Sequence, residues 1–400
     1  DLPSSLTKLS FGKHSSNNIL LPGSIPPSVV SLQLRGEFSL DIKPGIIPSS
    51  VTQLDFRAGQ QLLPGCIPSS VTDLTIGKRI DLSLSTVYIP SSVATLSATI
   101  VDGGEPAPGV LPSSVKLLKL RWFSPNHIPP GSIPSSVFAL ELEFNPKQNF
   151  PKDVLHGVPS SVTHLLLGNR FNQKIRPQFI PSSVTRLEFG YHFNQHILPG
   201  ALPSSLTELI LGLSYNLPLL KGCIPNSLIK LSFNSKHGVY NQPFISGTLP
   251  HSMTNLCLSY QFNQPLPLES IPSVTKLTLG AKFTGRLDHI IDQLPNLVTL
   301  IIQRTLSLPT PSQRRRIKEI IIARSFESQP TVFLHPSHFM LNPPPNLILA
   351  LQSALTVRVA VKYTDKKNST HHNKMSSTIT CRMIDNDTVV MFSKFPFHFG

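Results

Sequence analysis

Ile180-Pro181-Ser182-Ser183-Val184-Thr185-Arg186-Leu187-Glu188-Phe189-Gly190 is followed, one period later, by Leu202-Pro203-Ser204-Ser205-Leu206-Thr207-Glu208-Leu209-Ile210-Leu211-Gly212. Blocks of this form occur fourteen times, 20–25 residues apart and most often 22. Their anchors are Pro3, Pro26, Pro48, Pro68, Pro90, Pro112, Pro134, Pro159, Pro181, Pro203, Pro225, Pro250, Pro272 and Pro295. A fixed period of this size marks a solenoid, in which units too small to bury a core alone are stacked on their neighbours.

The columns of the repeat assign a task to each position. An aliphatic residue precedes every anchor proline. In the first twelve units Val, Leu or Met stands three residues after the proline, and Leu six after it, including Leu54, Leu74, Leu165, Leu187, Leu209 and Leu231. The last two units place Leu277 and Leu300 five after the proline. A further apolar residue follows two positions on, as in Phe56 and Phe189. This period-2 alternation, with β-branched Val and Thr before it, predicts a short strand with one buried face. Glycines such as Gly77, Gly168 and Gly190 mark the exit from the strand. Leu-Pro-Gly at 21–23, 63–65 and 198–200 marks a second turn, and Ser-Ser after the anchor is expected to hold the corner by local hydrogen bonds.

The strand block resembles the L-x-x-L-x-L core of leucine-rich repeats. Phe171-Asn172-Gln173, Phe193-Asn194-Gln195 and Phe262-Asn263-Gln264, each leading to an aliphatic-Pro pair, resemble FNIP repeats. The resemblance covers about residues 1–303 and is most specific in units 8–12; units 2–6 keep the strand and the aliphatic-Pro pair but lose Phe-Asn. It implies a leucine-rich-repeat-like solenoid acting in protein–protein interaction. Some members of the family carry an F-box-like or kinase segment, and none is recognisable within these residues. The expected organisation is 1–304 as fourteen repeats of short parallel strands in a curved sheet with irregular outer segments, then 305–400 as a small, basic α+β cap or separate module. Because the chain starts at Asp1 inside a repeat, a fragment of a longer protein is expected.

The formal charge is +14, with residues 301–400 holding 13 Lys/Arg against 5 Asp/Glu. This leaves nucleic-acid or acidic-membrane binding through 305–400 as the alternative function. It is disfavoured because no stacking aromatics are interleaved with the basic residues. The four cysteines are Cys66, Cys223, Cys257 and Cys381. Cys66 and Cys223 occupy one column seven units apart, too far for a disulfide. Unpaired cysteines point to a reducing, intracellular (cytoplasmic) compartment. The sequons at Asn368 and Asn386 are read as chance matches. No apolar run is long enough to span a membrane, and a monomer is expected.

Past the repeats, Thr310-Pro311-Ser312-Gln313 has the form of a capping box, so Arg314–Arg324 is predicted to be a helix with Ile317, Ile320 and Ile321 on one face. Strands are predicted at 331–334, 355–363, 377–383 and 388–393, with 364–375 a polar loop. The basic run Arg314–Lys318 has the composition of a nuclear-localisation cluster, but reads better as a solvated face.

No catalytic motif is present, and no cofactor or metal is implied. Gly103-Gly104 has no lysine frame for a phosphate, and His371-His372 has no partner at ligand spacing. The better candidate is the strand face opposite the leucines, the concave side of such a solenoid. Its expected partner-binding residues are Asp55, Asp73, Lys119, Glu141, His164, Leu166, Arg186, Glu188, Glu208, Ile210 and Lys230. These vary between units while the core columns do not, and Leu117, Leu166, Ile210 and Ile301 are expected to stand exposed among them.

Overall fold

The computed structural model describes residues 2–12, 20–35, 42–57, 64–77, 82, 88–101, 103–144, 154–233, 237–303, 319–325, 357–362, 376–383 and 389–393. The chain forms two compact units, Asp1–Phe193 with Gly200–Leu206, and Asn194–Pro199 with Thr207–Gly400.

The first unit is a ladder of parallel strands, one per repeat: β1 (Lys8–Phe11), β2 (Ser31–Leu34), β3 (Gln53–Phe56), β4 (Asp73–Ile76), β5 (Thr95–Ile100), β6 (Leu117–Trp122), β7 (Ala139–Phe144), β8 (His164–Leu167) and β9 (Arg186–Phe189). Each pairs with the next in a register that sets leucine against leucine: Leu32 faces Leu54, Leu118 faces Leu140, Leu165 faces Leu187. The period-2 pattern puts these leucines inside. Leu54, Leu74, Leu165 and Leu187 are all at most 2% exposed, as are Val51, Val71, Val162 and Val184 three residues earlier. Burying each such side chain stabilises by roughly 1.5–3 kcal/mol.

Three repeats depart from the pattern. β5, β6 and β7 run for six residues rather than four, adding a third inward row in which Ile100, Trp122 and Phe144 pair across the strands. These repeats have Thr99, Arg121 and Glu143 where six of the others place a glycine after the strand, at Gly12, Gly77, Gly168, Gly190, Gly212 and Gly280. The buried indole N–H of Trp122 donates to the Asn126 carbonyl oxygen at 3.0 Å.

The second unit continues the same construction with β10 (Glu208–Ile210), β11 (Lys230–Ser232), β12 (Asn255–Cys257), β13 (Lys276–Leu279) and β14 (Thr299–Ile302). Leu209, Leu231, Leu256, Leu277 and Leu300 are fully buried. A helix, α1 (Leu287–Gln293), precedes β14 and buries Leu287, Ile290 and Ile291.

The helix predicted at 314–324 is not found over its described residues, 319–324. Glu319–Ser325 is a strand, β15, paired in parallel with β14 so that Ile320, Ile321 and Ile322 lie opposite Leu300, Ile301 and Ile302. A run of three β-branched residues beside an open strand edge favours the ladder over the helix that the capping box suggested. β16 (Val357–Lys362) adds a further parallel strand, and β17 (Ser376–Met383) and β18 (Val389–Ser393) close the sheet with antiparallel pairings. The expected strand at 331–334, the loop at 364–375 and the basic cluster at 314–318 lie outside the described residues.

The corners are built differently from the local scheme expected. The backbone N–H three residues past the anchor proline closes the turn onto the proline carbonyl, as in Val51 to Pro48 at 3.1 Å. The second serine, however, reaches back across the repeat junction. Ser50 Oγ donates to the Val29 carbonyl oxygen, and Ser70, Ser92, Ser114 and Ser136 repeat the contact, all at 2.7 Å. In the second unit Ser252 bonds Leu228 and Asn296 Nδ2 bonds Pro272.

The Leu-Pro-Gly turn needs left-handed backbone at its glycine, three residues before the anchor that follows it; Gly23, Gly65 and Gly200 have φ of 87°, 80° and 77°, and Gln178 adopts 67° in the same column. The glycine after the strand has a different reason. A Cβ on Gly190 would lie 2.4 Å from the Gly168 carbonyl carbon, and one on Gly280 would lie 1.7 Å from the Ser259 oxygen. Those positions are glycine because neighbouring repeats touch there.

Candidate functional site

The Phe-Asn pairs are structural. Their aromatic rings form an internal stack: Phe171 and Phe193 have centroids 6.0 Å apart in the first unit, and Tyr215, Tyr240, Phe262 and Phe283 follow at 5.9, 6.2 and 6.5 Å in the second. The asparagines form a second ladder. The side-chain oxygens of Asn194, Asn216, Asn241 and Asn263 accept the backbone N–H of Asn216, Asn241, Asn263 and Thr284, at 2.8–3.0 Å. This satisfies loop amides that have no strand partner.

Cys223 is buried near the hydroxyls of Tyr215 and Tyr240. Burial pushes its thiol pKa up to about 11. Burial also holds the hydroxyls of Tyr215 and Tyr240 protonated far above the ordinary tyrosine range, with the neighbouring thiol adding to the effect. The Tyr240 hydroxyl lies near the Leu219 backbone amide, which opposes the shift, but makes no hydrogen bond of good geometry. These groups are sealed inside the repeats and do not form a reactive site.

What remains open to solvent is the side of the strands opposite the leucines, where residues of one column stand in lateral rows. Seven of the expected binding residues are engaged there with one another or with neighbours. Lys119 bonds Glu141 on the next strand at 2.5 Å and approaches Glu143 at 3.6 Å, while Arg121 bonds Glu143 at 3.1 Å. Asp55 is held by Arg35 and Arg57, each at 2.8 Å. Arg186 meets Glu188 at 3.8 Å, and in the second unit Lys230 meets Glu208 at 2.6 Å. Partly exposed pairs of this kind contribute about 0–1 kcal/mol each to stability. Their larger effect is to neutralise the face locally.

The other four expected residues are outside these pairs. Asp73 is half-buried between Gln53 and Thr95 on the adjoining strands, and burial raises its carboxyl pKa. His164 is exposed, with Nδ1 2.9 Å from Thr163 Oγ1. Leu166 and Ile210 are half-buried, as is Ile301, whereas Leu117 stands 41% exposed. Reading the two columns beside the leucine missed Phe138, which lies one residue further back, is 43% exposed and packs edge-on to His164 at 5.9 Å. It also missed Arg35, Arg57, Arg121 and Glu143, which share one column three residues past the leucine.

Among the described residues no group of three or more His, Cys, Asp or Glu side chains is placed to hold a metal ion. No described helix is long and apolar enough to cross a membrane.

Parallel strands stacked one per repeat, with leucine, aromatic and asparagine ladders, define a leucine-rich-repeat-like solenoid. The chain belongs to the FNIP repeat family: the FNIP Repeat profile matches residues 17–57, 60–97, 144–192, 193–236 and 240–282, more than half of the sequence. The stretch 98–143 that escapes it is where β5–β7 lengthen. Among solved structures the chain is similar to CroV588, described as a novel circular leucine-rich-repeat protein, with 26% identity and a TM-score of 0.56 over 83% of this chain and 48% of that one. It is also similar to a chain of the Toll–Spatzle complex of Drosophila (15% identity, TM-score 0.49, 85% and 53% covered) and to InlJ from Listeria monocytogenes (13%, 0.37, 98% and 85%). The chain thus spans about half the length of the first two. Among curated proteins there is no match.

Proposed function

We propose that the chain is a non-catalytic interaction scaffold and that a protein partner binds the solvent side of its strands. The observation that carries this reading is the pairing of Leu117 and Phe138, exposed by 41% and 43%, on the neighbouring repeats of β6 and β7. Single exposed apolar residues are ordinary. Laterally adjacent ones, bordered by ion pairs that are already satisfied, have the make-up of an interface centre with a polar rim. In this reading Asp73, His164 and Leu166 make contacts in the first unit, and Ile210 makes them in the second. Asp55, Lys119, Glu141, Arg186 and Glu188 shape the rim in the first unit, Glu208 and Lys230 form a charged pair on the strands of the second, and both sets reject mismatched charge.

The test is crosslinking capture from cells with three forms of the chain: wild type, Leu117→Ser/Phe138→Ser/Leu166→Ser on the strands, and Arg170→Ser/Lys174→Ser/Arg176→Ser on a loop. Proteins recovered by the wild type and the loop variant, but lost from the strand variant, support the proposal. Recovery of the same proteins by all three, or loss from the loop variant alone, counts against it.

A further inference from the structure

Six carboxylates lie on the solvent side of strands β1–β14 among the described residues, and five of them, Asp55, Glu141, Glu143, Glu188 and Glu208, have a cation within 4 Å. Asp73 has none. It is flanked by Gln53 and Thr95, with Thr75 two residues on, and the arginines nearest in column, Arg35 and Arg57, are committed to Asp55. A half-buried carboxylate with no cation is an incomplete electrostatic arrangement, and a positive group from outside would complete it. Two and three strands further along the same unit stand Leu117 and Phe138. The intervening strand, β5, offers Thr95 and Ser97, small hydroxyls that leave room for a backbone and can bond to it.

We propose that this face takes an extended peptide segment of the partner, with a lysine or arginine over Asp73 and a large apolar side chain between Leu117 and Phe138. The inference rests on the partner-binding reading above and supplies its chemistry. Strands are about 4.8 Å apart, so the two anchor points are about 10–14 Å apart; an extended chain rising about 3.3 Å per residue covers this in three or four residues. The segment therefore crosses the strands. Lys116, exposed beside Leu117, opposes a second cation over the apolar anchor and so sets the order of the two groups. The same carboxylate argues against a nucleic acid here.

Selection of a random twelve-residue peptide display library on the full chain tests this. The expected product is a set of peptides with Lys or Arg three or four positions from Phe, Leu, Ile, Met or Trp. Their binding should fall at least ten-fold with Asp73→Asn and with Phe138→Ser, and should be unchanged with Lys43→Ser. Circular dichroism melts check that the variants fold, and Leu117→Ser replaces Phe138→Ser if the latter does not. Peptides without the spaced pair, failure to enrich any peptide, or binding indifferent to either substitution overturns the inference. So does self-association of the free chain that disappears with Asp73→Asn, which would put a second copy on this face. Crosslinking capture can succeed in each of those cases, so the two readings fail separately.

Discussion

Ser183 Oγ donates to the carbonyl oxygen of Val162 at 2.8 Å, so the serine that follows the anchor proline is bonded to the preceding repeat rather than to its own turn. Ser182, its neighbour in sequence, is exposed. The two serines of the motif therefore have unequal roles.

Ser183→Ala leaves a buried carbonyl unpaired and should cost about 1–3 kcal/mol. Ser182→Ala should change stability by less than about 0.5 kcal/mol. Urea denaturation of the two variants checks this; equal midpoints would remove the ladder from the account.

Leu187 is fully buried between repeats. Leu187→Ala should cost about 2–5 kcal/mol. Leu187→Asp should open the solenoid locally, seen as new protease cleavage around 180–195 and a lowered melting temperature. A variant that melts and resists proteolysis like the wild type would contradict the stacked-repeat core.

Gly190→Ala should destabilise, because a Cβ there meets the Gly168 and Asn169 backbone at 2.4–2.5 Å. Gly12→Ala, in the first repeat, meets nothing within 4 Å and should be neutral or slightly stabilising through the unfolded chain. Thermal melts of both variants distinguish close packing from turn conformation as the reason for this glycine column.

Tyr240→Phe removes a buried hydroxyl that makes no good hydrogen bond, at a column where Phe171, Phe193 and Phe262 already occur, and should stabilise by about 1 kcal/mol. It should also flatten the alkaline limb of stability. The folded pKa values of Cys223, Tyr215 and Tyr240 lie above the ordinary 9.0 and 10.0. The unfolded chain therefore gives up protons that the folded chain keeps, and the resulting stability, complete below about pH 9, is lost as pH rises. Melting temperatures measured from pH 8 to 11 should fall less steeply in the variant.

Much of this fold is legible in the sequence because it repeats. One leucine column at a fixed spacing gives strand, face and register together, since parallel stacking aligns like with like. The Phe-Asn columns announce themselves for the same reason, although their roles as ring stack and amide acceptor need the neighbouring repeat to be in place. The 314–324 segment reads as a helix because its capping box is local, whereas the edge of β14 that claims Ile320–Ile322 is distant in sequence. The strand face was half legible. Lys119 with Glu141, and Glu208 with Lys230, are opposite charges in one column of successive units, and that alone could have predicted their pairing. Phe138 was hidden because its column usually holds Thr, as at Thr52, Thr72, Thr163 and Thr185.

The serine, asparagine and strand hydrogen bonds described above each join a repeat only to the one beside it. Mechanical load would therefore be carried in series, one junction at a time. Pulled along the stack from one end, a unit should peel off repeat by repeat, each release freeing about 22 residues and lengthening the chain by about 75 Å. A protein built this way can give up its outermost turns under force while the interior turns, and the surface they present, stay assembled.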